Sequence, residues 1–294
     1  MPEFENKDYI IDRIKLKKQL NRWRIIAIII VLIAVFGVVF QQKKDFFEYI
    51  GRININGMIF QDQERLNKID SIAQDKKVKA LIIHVDSPGG SFVGAESLYH
   101  LLKKISKIKP VVVVMGDVAA SGGYMVAMAG EYVIAHLGTL TGSIGILSIN
   151  YEITGLAEKL GINIELFKSS KYKATPNPFE KITPEIQKEV EDRVMKTKEL
   201  FLKMVLNTRK ISKDNIKLIG SGKLFTSHEA LNLGLIDAIG NEDVAKQWLV
   251  TNKKLDSKLK IKQLDISSYQ INKLVAFASL INNFLTTNHI SLSG

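Results

Sequence analysis

The sequence predicts an α/β domain in which helices cover a mostly parallel sheet. Two apolar runs, 79–85 (KALIIHV) and 111–114 (VVVV), have the composition of buried strands. Each is followed by a segment with apolar residues at helical spacing, 92–107 after the first and 124–129 after the second. Buried strands that alternate with helices are typical of parallel sheets, because a crossover must return the chain to the same end of the sheet.

The remaining elements follow from the same periodicities. We expect further strands at 52–60, 132–135, 146–149, 163–167 and 235–239, and helices at 64–74, 153–160, 184–208 and 242–250. Pro184 suits the first turn of the long helix, and Thr226 with Glu229 predicts a capping box. The soluble domain is therefore placed at 43–250. The tail, 251–294, is lysine-rich and then amphipathic, so it can lie on a membrane, pack on a partner or dock on the domain.

The N-terminal region predicts a membrane anchor. A polar segment, 1–24, precedes the run 25–40, which has no polar side chain, and we expect a transmembrane helix over 25–42 that contacts lipid through 25–40. No A-x-A-like site follows, which favours an uncleaved anchor over a cleaved signal peptide. Lysines and arginines are concentrated before the run. By the positive-inside rule, the N-terminus is cytoplasmic and the domain lies outside the cytoplasm, on the inner membrane of a bacterium.

The composition excludes several functional classes. The chain has 294 residues and a net charge of +11, but its lysines are spread along the whole sequence, so we expect a solvated basic surface and no nucleic-acid partner. There is no cysteine, which rules out disulfides, thiolate catalysis and cysteine-ligated metal. No metal-binding or nucleotide-binding motif is found, so we expect neither a metal nor another cofactor.

Ser121 is the candidate nucleophile. It follows the valine strand and two alanines, and it precedes Gly122, Gly123 and a helix-like run. At such a junction the serine hydroxyl lies near the positive end of a helix, and the next amide is free to donate to an oxyanion. Because Ala119 occupies the first glycine position, the segment is not a G-x-S-x-G elbow. A plain tight turn is an equal alternative on these residues alone.

The base that would activate Ser121 is not selected by the residues alone. None of the histidines has an acidic partner at a suggestive spacing; they are His84, His100, His136, His228 and His289. A lysine can also serve when burial favours its neutral form. Ser170 and Lys173 have the S-x-x-K spacing, but prolines at 176 and 178 argue against the helix that this motif needs. A base on the loop 168–179, distant from Ser121 in sequence, is another possibility, and a Ser-His-Asp arrangement formed only in space stays open.

Five motifs, in order, resemble the signal peptide peptidase A family of membrane-bound serine proteases. They are DSPGG at 86–90, GDVAASGGYMVA at 116–127, LTGSIG at 140–145, KYKA at 171–174 and KLFTSHEALNLGLIDAIG at 223–240. The resemblance covers about residues 50–250. The length of the chain is similar to that of the short, single-repeat form of the family. It implies the Clp protease/crotonase-like ββα-repeat fold.

The resemblance also implies the site residues. Ser121 matches the nucleophile and Lys173 the general base of a Ser/Lys dyad. Ser143 matches a serine that orients the lysine amine, and the backbone amides of Gly90 and Gly122 match an oxyanion hole. Within the same loop, Lys171 is the alternative base. His84 stands before the D-S-P-G-G turn, and no role is assigned to it.

The function implied is an ATP-independent serine endopeptidase that degrades cleaved signal peptides and other short or unfolded polypeptides. The resemblance further implies a ring- or dome-shaped homo-oligomer in which Ser121 of one protomer meets Lys173 of the next. The alternatives are a SohB-like membrane serine protease with another substrate, a crotonase-fold enzyme acting on acyl-CoA, and a catalytically inactive membrane scaffold.

Overall fold

The computed structural model describes residues 16–30 and 47–266. The chain divides into two compact units, Met1–Phe47 and Glu48–Gly294. In the first unit, residues 16–30 form a helix, α1, whose isoleucines are exposed. Within these two described ranges, no helix is both long enough and apolar enough to cross a membrane. Most of the predicted transmembrane helix, 31–42, lies outside the described residues.

The second unit is built on an eight-stranded sheet. The strands are β1 (Tyr49–Asn56), β2 (Val78–Ser87), β3 (Val111–Ala120), β4 (Tyr132–Ala135), β5 (Leu140–Gly142), β6 (Leu224–Thr226), β7 (Ala238–Ile239) and β8 (Lys260–Gln263). Their order in the sheet is β6-β5-β3-β2-β1-β8, and β4 pairs with β3 and with β7. All strand pairs are parallel except β5–β6. The predicted α/β fold with a mostly parallel sheet is therefore confirmed.

Helices follow most of the strands, and their ends carry the capping signals that the sequence contains. Thr183 caps α6 with Pro184 in its first turn, and Thr226 and Glu229 form the predicted capping box of α8. The helices are α2 (Gln63–Gln74), α3 (Phe92–Ile105), α4 (Gly122–Ala127), α5 (Thr154–Lys159), α6 (Pro184–Thr208), α7 (Ile216–Ile219), α8 (Ser227–Asn232) and α9 (Glu242–Lys253), with a 3₁₀ turn at Lys213–Asn215.

The central strands are buried on both faces, which explains why their sequences are apolar without alternation. Leu81 and Ile83 of β2 face one cluster with α3 and α4. Ala80 and Ile82 of the same strand face a second cluster with α9. Packing on two sides fixes the register of β2 and β3, and so fixes where the two strands end.

Two predicted strands are wrong, and one strand lies beyond the predicted domain. Residues 146–149 and 163–167 have an extended or irregular backbone without a partner strand. Their apolar side chains are largely open to solvent, with Leu147 80% and Phe167 92% exposed, so alternation alone does not make them strands. In the predicted tail, β8 pairs in parallel with β1.

Candidate active site

Ser121 lies where β3 ends and α4 begins. Its amide donates to the carbonyl of Gly142 at 2.8 Å, and its carbonyl accepts from the amide of Met125 at 3.0 Å. These bonds hold Ser121 at φ 52° and ψ −119°, a conformation that a residue with a side chain rarely adopts. Such backbone strain persists only where the surrounding structure imposes it, and it clusters at active sites.

The turn after β2 and the turn after β3 can pack closely against each other because both contain glycine, which has no Cβ atom. A Cβ atom on Gly123 would lie 2.4 Å from the carbonyl oxygen of Ser87, so only glycine allows α4 to start against the end of β2. Gly89 is also close, since its Cβ would lie 3.0 Å from that of Ser121. The turn after β2 and the turn after β3 therefore form one continuous surface.

The amides of Gly90 and Gly122 lie beside each other on this surface. A parallel β-bridge between Ile59 and Gly90 holds this turn in place. The amide of Ile59 donates to the carbonyl of Gly89, and the amide of Ser91 donates to the carbonyl of Ile59, both at 2.8 Å. The Cβ position of Gly122 is 3.3 Å from the Gly90 nitrogen. No backbone carbonyl in the described part of the chain accepts from either amide. Two unpaired donors next to a serine are what an oxyanion requires.

A cavity of about 440 Å³ opens in front of Ser121. Its walls are mainly apolar, and Phe92 meets Phe201 edge to face with the ring centres 6.4 Å apart. The lining residues are Gly90, Ser91, Phe92, Ser121, Gly122, Met125, Gly145, Ile146, Leu147, Thr197 and Phe201. This lining contains no histidine, lysine, aspartate or glutamate. The part of the chain that the structure describes thus presents a serine and two amides to the cavity, without a base.

The pairing of β3 with β5 places Ser143 beside Ser121. Ala120 is opposite Gly142 in that register, so Ser143 follows in the same direction as Ser121. Ser143 is partly buried at φ 50°, and its amide donates to the carbonyl of Lys223 at 2.9 Å. The structure therefore brings Ser121, Ser143 and the two glycine amides to one edge of the sheet.

Lys173 does not line the cavity at Ser121. It lies on the segment 168–180, here called the lysine loop, and it is exposed. Its side chain makes no hydrogen bond or ion pair with any described residue. The alternative, Lys171, pairs with Glu185, and this hydrogen bond raises the pKa of Lys171. Because a base must be neutral, the contact disfavours Lys171 in that role.

None of the described histidines lines the cavity. His84 lies on the face of β2 that packs against α9, where its Nε2 is 3.0 Å from Oε2 of Glu242. Burial lowers the pKa of His84, although Glu242 opposes that effect. Arg52 shares the same carboxylate at 3.3 Å. The cluster links β1 and β2 to α9. The fifth histidine, His289, is outside the described residues.

Sequence reasoning missed the walls of the cavity. Phe92 begins α3, Met125 lies in α4, and Thr197 and Phe201 belong to α6. Phe201 lies in the predicted helix 184–208 and is buried. However, the spacing within one helix carries no information on which helices meet in front of Ser121.

Two family models match the chain. Residues 103–256 match the model of peptidase family S49, and residues 59–137 match that of the Clp proteases. A Synechocystis sp. protein provisionally named a protease is 33% identical over 208 residues, which is 70% of this chain and 75% of that protein. A Methanocaldococcus jannaschii protein with the same kind of name is 31% identical over 237 residues, 81% of this chain and 69% of that protein.

A plant relative carries a more specific name. The chloroplastic serine protease SPPA of Arabidopsis thaliana is 34% identical over 191 residues, which is 65% of this chain and 28% of that protein. The resemblance to the signal peptide peptidase A family, identified from the motifs, is confirmed.

The contact between Gly123 and Ser87 yields a test of the strained turn. We expect Gly123→Ala to displace Ser121 and to slow its labelling by a fluorophosphonate by about 100-fold, because small misplacements of reacting groups have effects of that size. The matched control is Gly138→Ala, since no atom lies within 4 Å of the added methyl group. Labelling rate and melting temperature are measured together. Labelling of Gly123→Ala at the parent rate, with a normal melting temperature, would contradict this account.

Proposed function

Because the chain belongs to peptidase family S49 and is a serine-type peptidase, we propose that it hydrolyses peptide bonds with a catalytic dyad of Ser121 and Lys173. The observation that carries the proposal is the arrangement around Ser121. A strained serine opens into an apolar cavity beside the two unpaired amides of Gly90 and Gly122. The family resemblance supplies Lys173 as the base.

The proposed reaction proceeds in two stages. The neutral amine of Lys173 takes the proton of the Ser121 hydroxyl, and the oxygen bonds to the peptide carbonyl carbon. The carbonyl becomes an oxyanion that accepts from Gly90 and Gly122. As the C–N bond breaks, the lysine ammonium protonates the leaving amine. Water then attacks the acyl-enzyme with the amine again as base, which releases the acid and restores Ser121. Ser143 orients the amine.

Two observations support a dyad shared between protomers. The cavity at Ser121 contains no base from the described part of its own chain, and Lys173 is exposed with an unbonded side chain. Water strongly hydrates the charged form of a lysine amine. An exposed lysine therefore becomes a base only when another surface covers it and favours the neutral form. A neighbouring protomer that carries Ser121 provides that surface in a ring- or dome-shaped assembly.

The surface around the lysine loop has the composition of a subunit interface. A groove of about 320 Å³ is lined only by apolar atoms. Its residues are Ile153, Leu156, Ala157, Leu160, Ile162, Ile164 and Phe179. Leu147, Tyr151 and Phe167 add further exposed apolar area in the same stretch of sequence. A groove lined only by apolar atoms, together with exposed apolar side chains from the same stretch of sequence, is the kind of surface that takes part in association.

The proposed substrates are cleaved signal peptides and other short or unfolded polypeptides, without a requirement for ATP. The apolar walls of the cavity, including Met125 and Phe201, suit the side chains of such peptides. A membrane anchor over 25–42 would place the enzyme where these substrates accumulate. The apolar composition of 25–40 and the exposed isoleucines of α1 support this anchor.

The dyad is tested with three variants of the full chain in detergent and an apolar fluorogenic peptide. We expect Lys173→Ala to lower kcat/KM by about 10²–10⁴-fold, the usual contribution of a general base, and Ser121→Ala to lower it at least as much. Lys171→Ala is the matched control from the same loop and should stay close to the parent. Parent activity should rise toward basic pH, because only a neutral amine accepts a proton. An active Ser121→Ala enzyme would refute the dyad, and an inactive Lys171→Ala enzyme beside an active Lys173→Ala enzyme would reassign the base.

The shared site predicts that assembly and activity are lost together. Leu156→Glu places a charge in the apolar groove, and burial of that charge between protomers is unfavourable. We expect Leu156→Glu to sediment as a monomer in sedimentation velocity. We also expect it to show no activity in the peptide assay. Leu137→Glu, at an exposed leucine outside the groove, should remain assembled and active. A monomer with parent activity would exclude a dyad shared between protomers.

A further inference from the structure

The lysine loop is closed by one carboxylate. Glu180, at the end of the loop, accepts from Lys168 at its beginning. It also accepts from Asn177 Nδ2 at 2.7 Å and from the Thr175 hydroxyl at 3.1 Å. Lys173 lies on the chain between these contacts. Because the loop contains no helix or strand, hydrogen bonds of this kind determine its shape.

Asn177 connects Glu180 to the backbone next to Lys173. Its amide nitrogen has two protons, and it donates one to Glu180 and the other to the carbonyl of Ala174 at 2.9 Å. Ala174, directly after Lys173, has φ 54° in the left-handed region. An alanine adopts that conformation only where other contacts impose it. The contacts from Glu180 through Asn177 to Ala174 therefore set the direction in which the chain leaves Lys173.

The contacts of Glu180 are sheltered, in contrast to those of its neighbour Glu185. The side chains of Lys168 and Glu180 are 23% and 24% exposed, whereas those of Lys171 and Glu185 are 57% and 52% exposed. The hydrogen bond from Lys168 is the largest cause of a lowered pKa for Glu180, so the residue is a carboxylate in neutral solution. All three of its partners belong to the lysine loop, and Glu180 does not line the cavity at Ser121.

We propose that Glu180 is a positioning residue, which holds the lysine loop in the shape that presents the Lys173 amine to Ser121. The inference rests on the proposed function, because it assumes that Lys173 is the base. Proton transfer requires the amine within hydrogen-bonding distance of the serine hydroxyl, and a flexible side chain on an unrestrained loop reaches that position rarely. Glu180 restricts the backbone and leaves only the side-chain torsions of Lys173 free.

Two substitutions separate the contacts of Glu180. Glu180→Gln keeps a carbonyl that accepts from Asn177 and Thr175 but removes the charge that pairs with Lys168. Glu180→Ala removes all three contacts. We expect kcat to fall by about tenfold or more for Glu180→Ala and by less for Glu180→Gln, with a smaller change in KM, because the lysine loop does not line the cavity at Ser121 within the described chain.

The pH profile distinguishes positioning from loss of folding. In Glu180→Ala, the amine spends more time in water, where its charged form is favoured. Half-maximal activity should therefore move to higher pH, and part of the lost rate should return at basic pH. A mere loss of folded enzyme would lower the rate by the same factor at every pH.

The control is Glu165→Ala, which removes an exposed carboxylate that bonds to no described residue, and it should match the parent. Parent values of kcat for Glu180→Ala, or a loss that is uniform in pH, would overturn the positioning role. Full activity of Lys173→Ala, in contrast, would refute the proposed base itself, whatever the Glu180 variants do.

Discussion

The close approach of two glycine-containing turns is the constraint on which the site depends. Gly123 packs on the carbonyl of Ser87, and Gly90 packs on Ile59, where a Cβ atom would lie 2.0 Å from the carbonyl oxygen. These contacts bring the ends of β2 and β3 together and force Ser121 out of regular strand geometry. The same approach leaves two amides without acceptors, so one packing arrangement creates both the strained position of Ser121 and the unpaired donors that the proposed reaction uses as its oxyanion hole.

The sheet and its buried polar contacts keep this arrangement rigid. Tyr124, in the helix that follows Ser121, donates its buried hydroxyl to the carbonyl of Leu235 at 3.0 Å. Two residues later in the sequence, Asp237 accepts two hydrogen bonds from Arg209, at 2.8 and 2.9 Å, and one from the amide of Val133. The motif at 223–240 thus anchors α4, α6 and β4 to each other. Removing one partner of this partly buried pair would leave the other charge uncompensated, which is destabilising.

Local sequence patterns predicted the buried strands and the turn at Ser121, which depend mainly on the residues within each segment. The strands at 79–85 and 111–114 could be predicted because burial on both faces requires unbroken apolar runs. The segment 163–167 alternates apolar and polar residues as a half-buried strand does, but no strand lies beside it, and pairing is not encoded locally. The turn at Ser121 follows from small residues at a junction. Its cavity walls could not be predicted, because they depend on how α3 and α6 pack. Lys173 came only from resemblance, since an exposed loop lysine has no local signature.

A dyad formed by Ser121 of one protomer and Lys173 of the next is the arrangement on which the proposed function depends. It is tested most directly by co-expressing Ser121→Ala and Lys173→Ala chains with different affinity tags and purifying the mixed assemblies through both tags. If the site is shared head to tail, about one quarter of the boundaries in a random mixture combine an intact serine with an intact lysine, so about one quarter of the parent activity should return. Mixed assemblies as inactive as either variant alone, beside an active parent, would contradict the account.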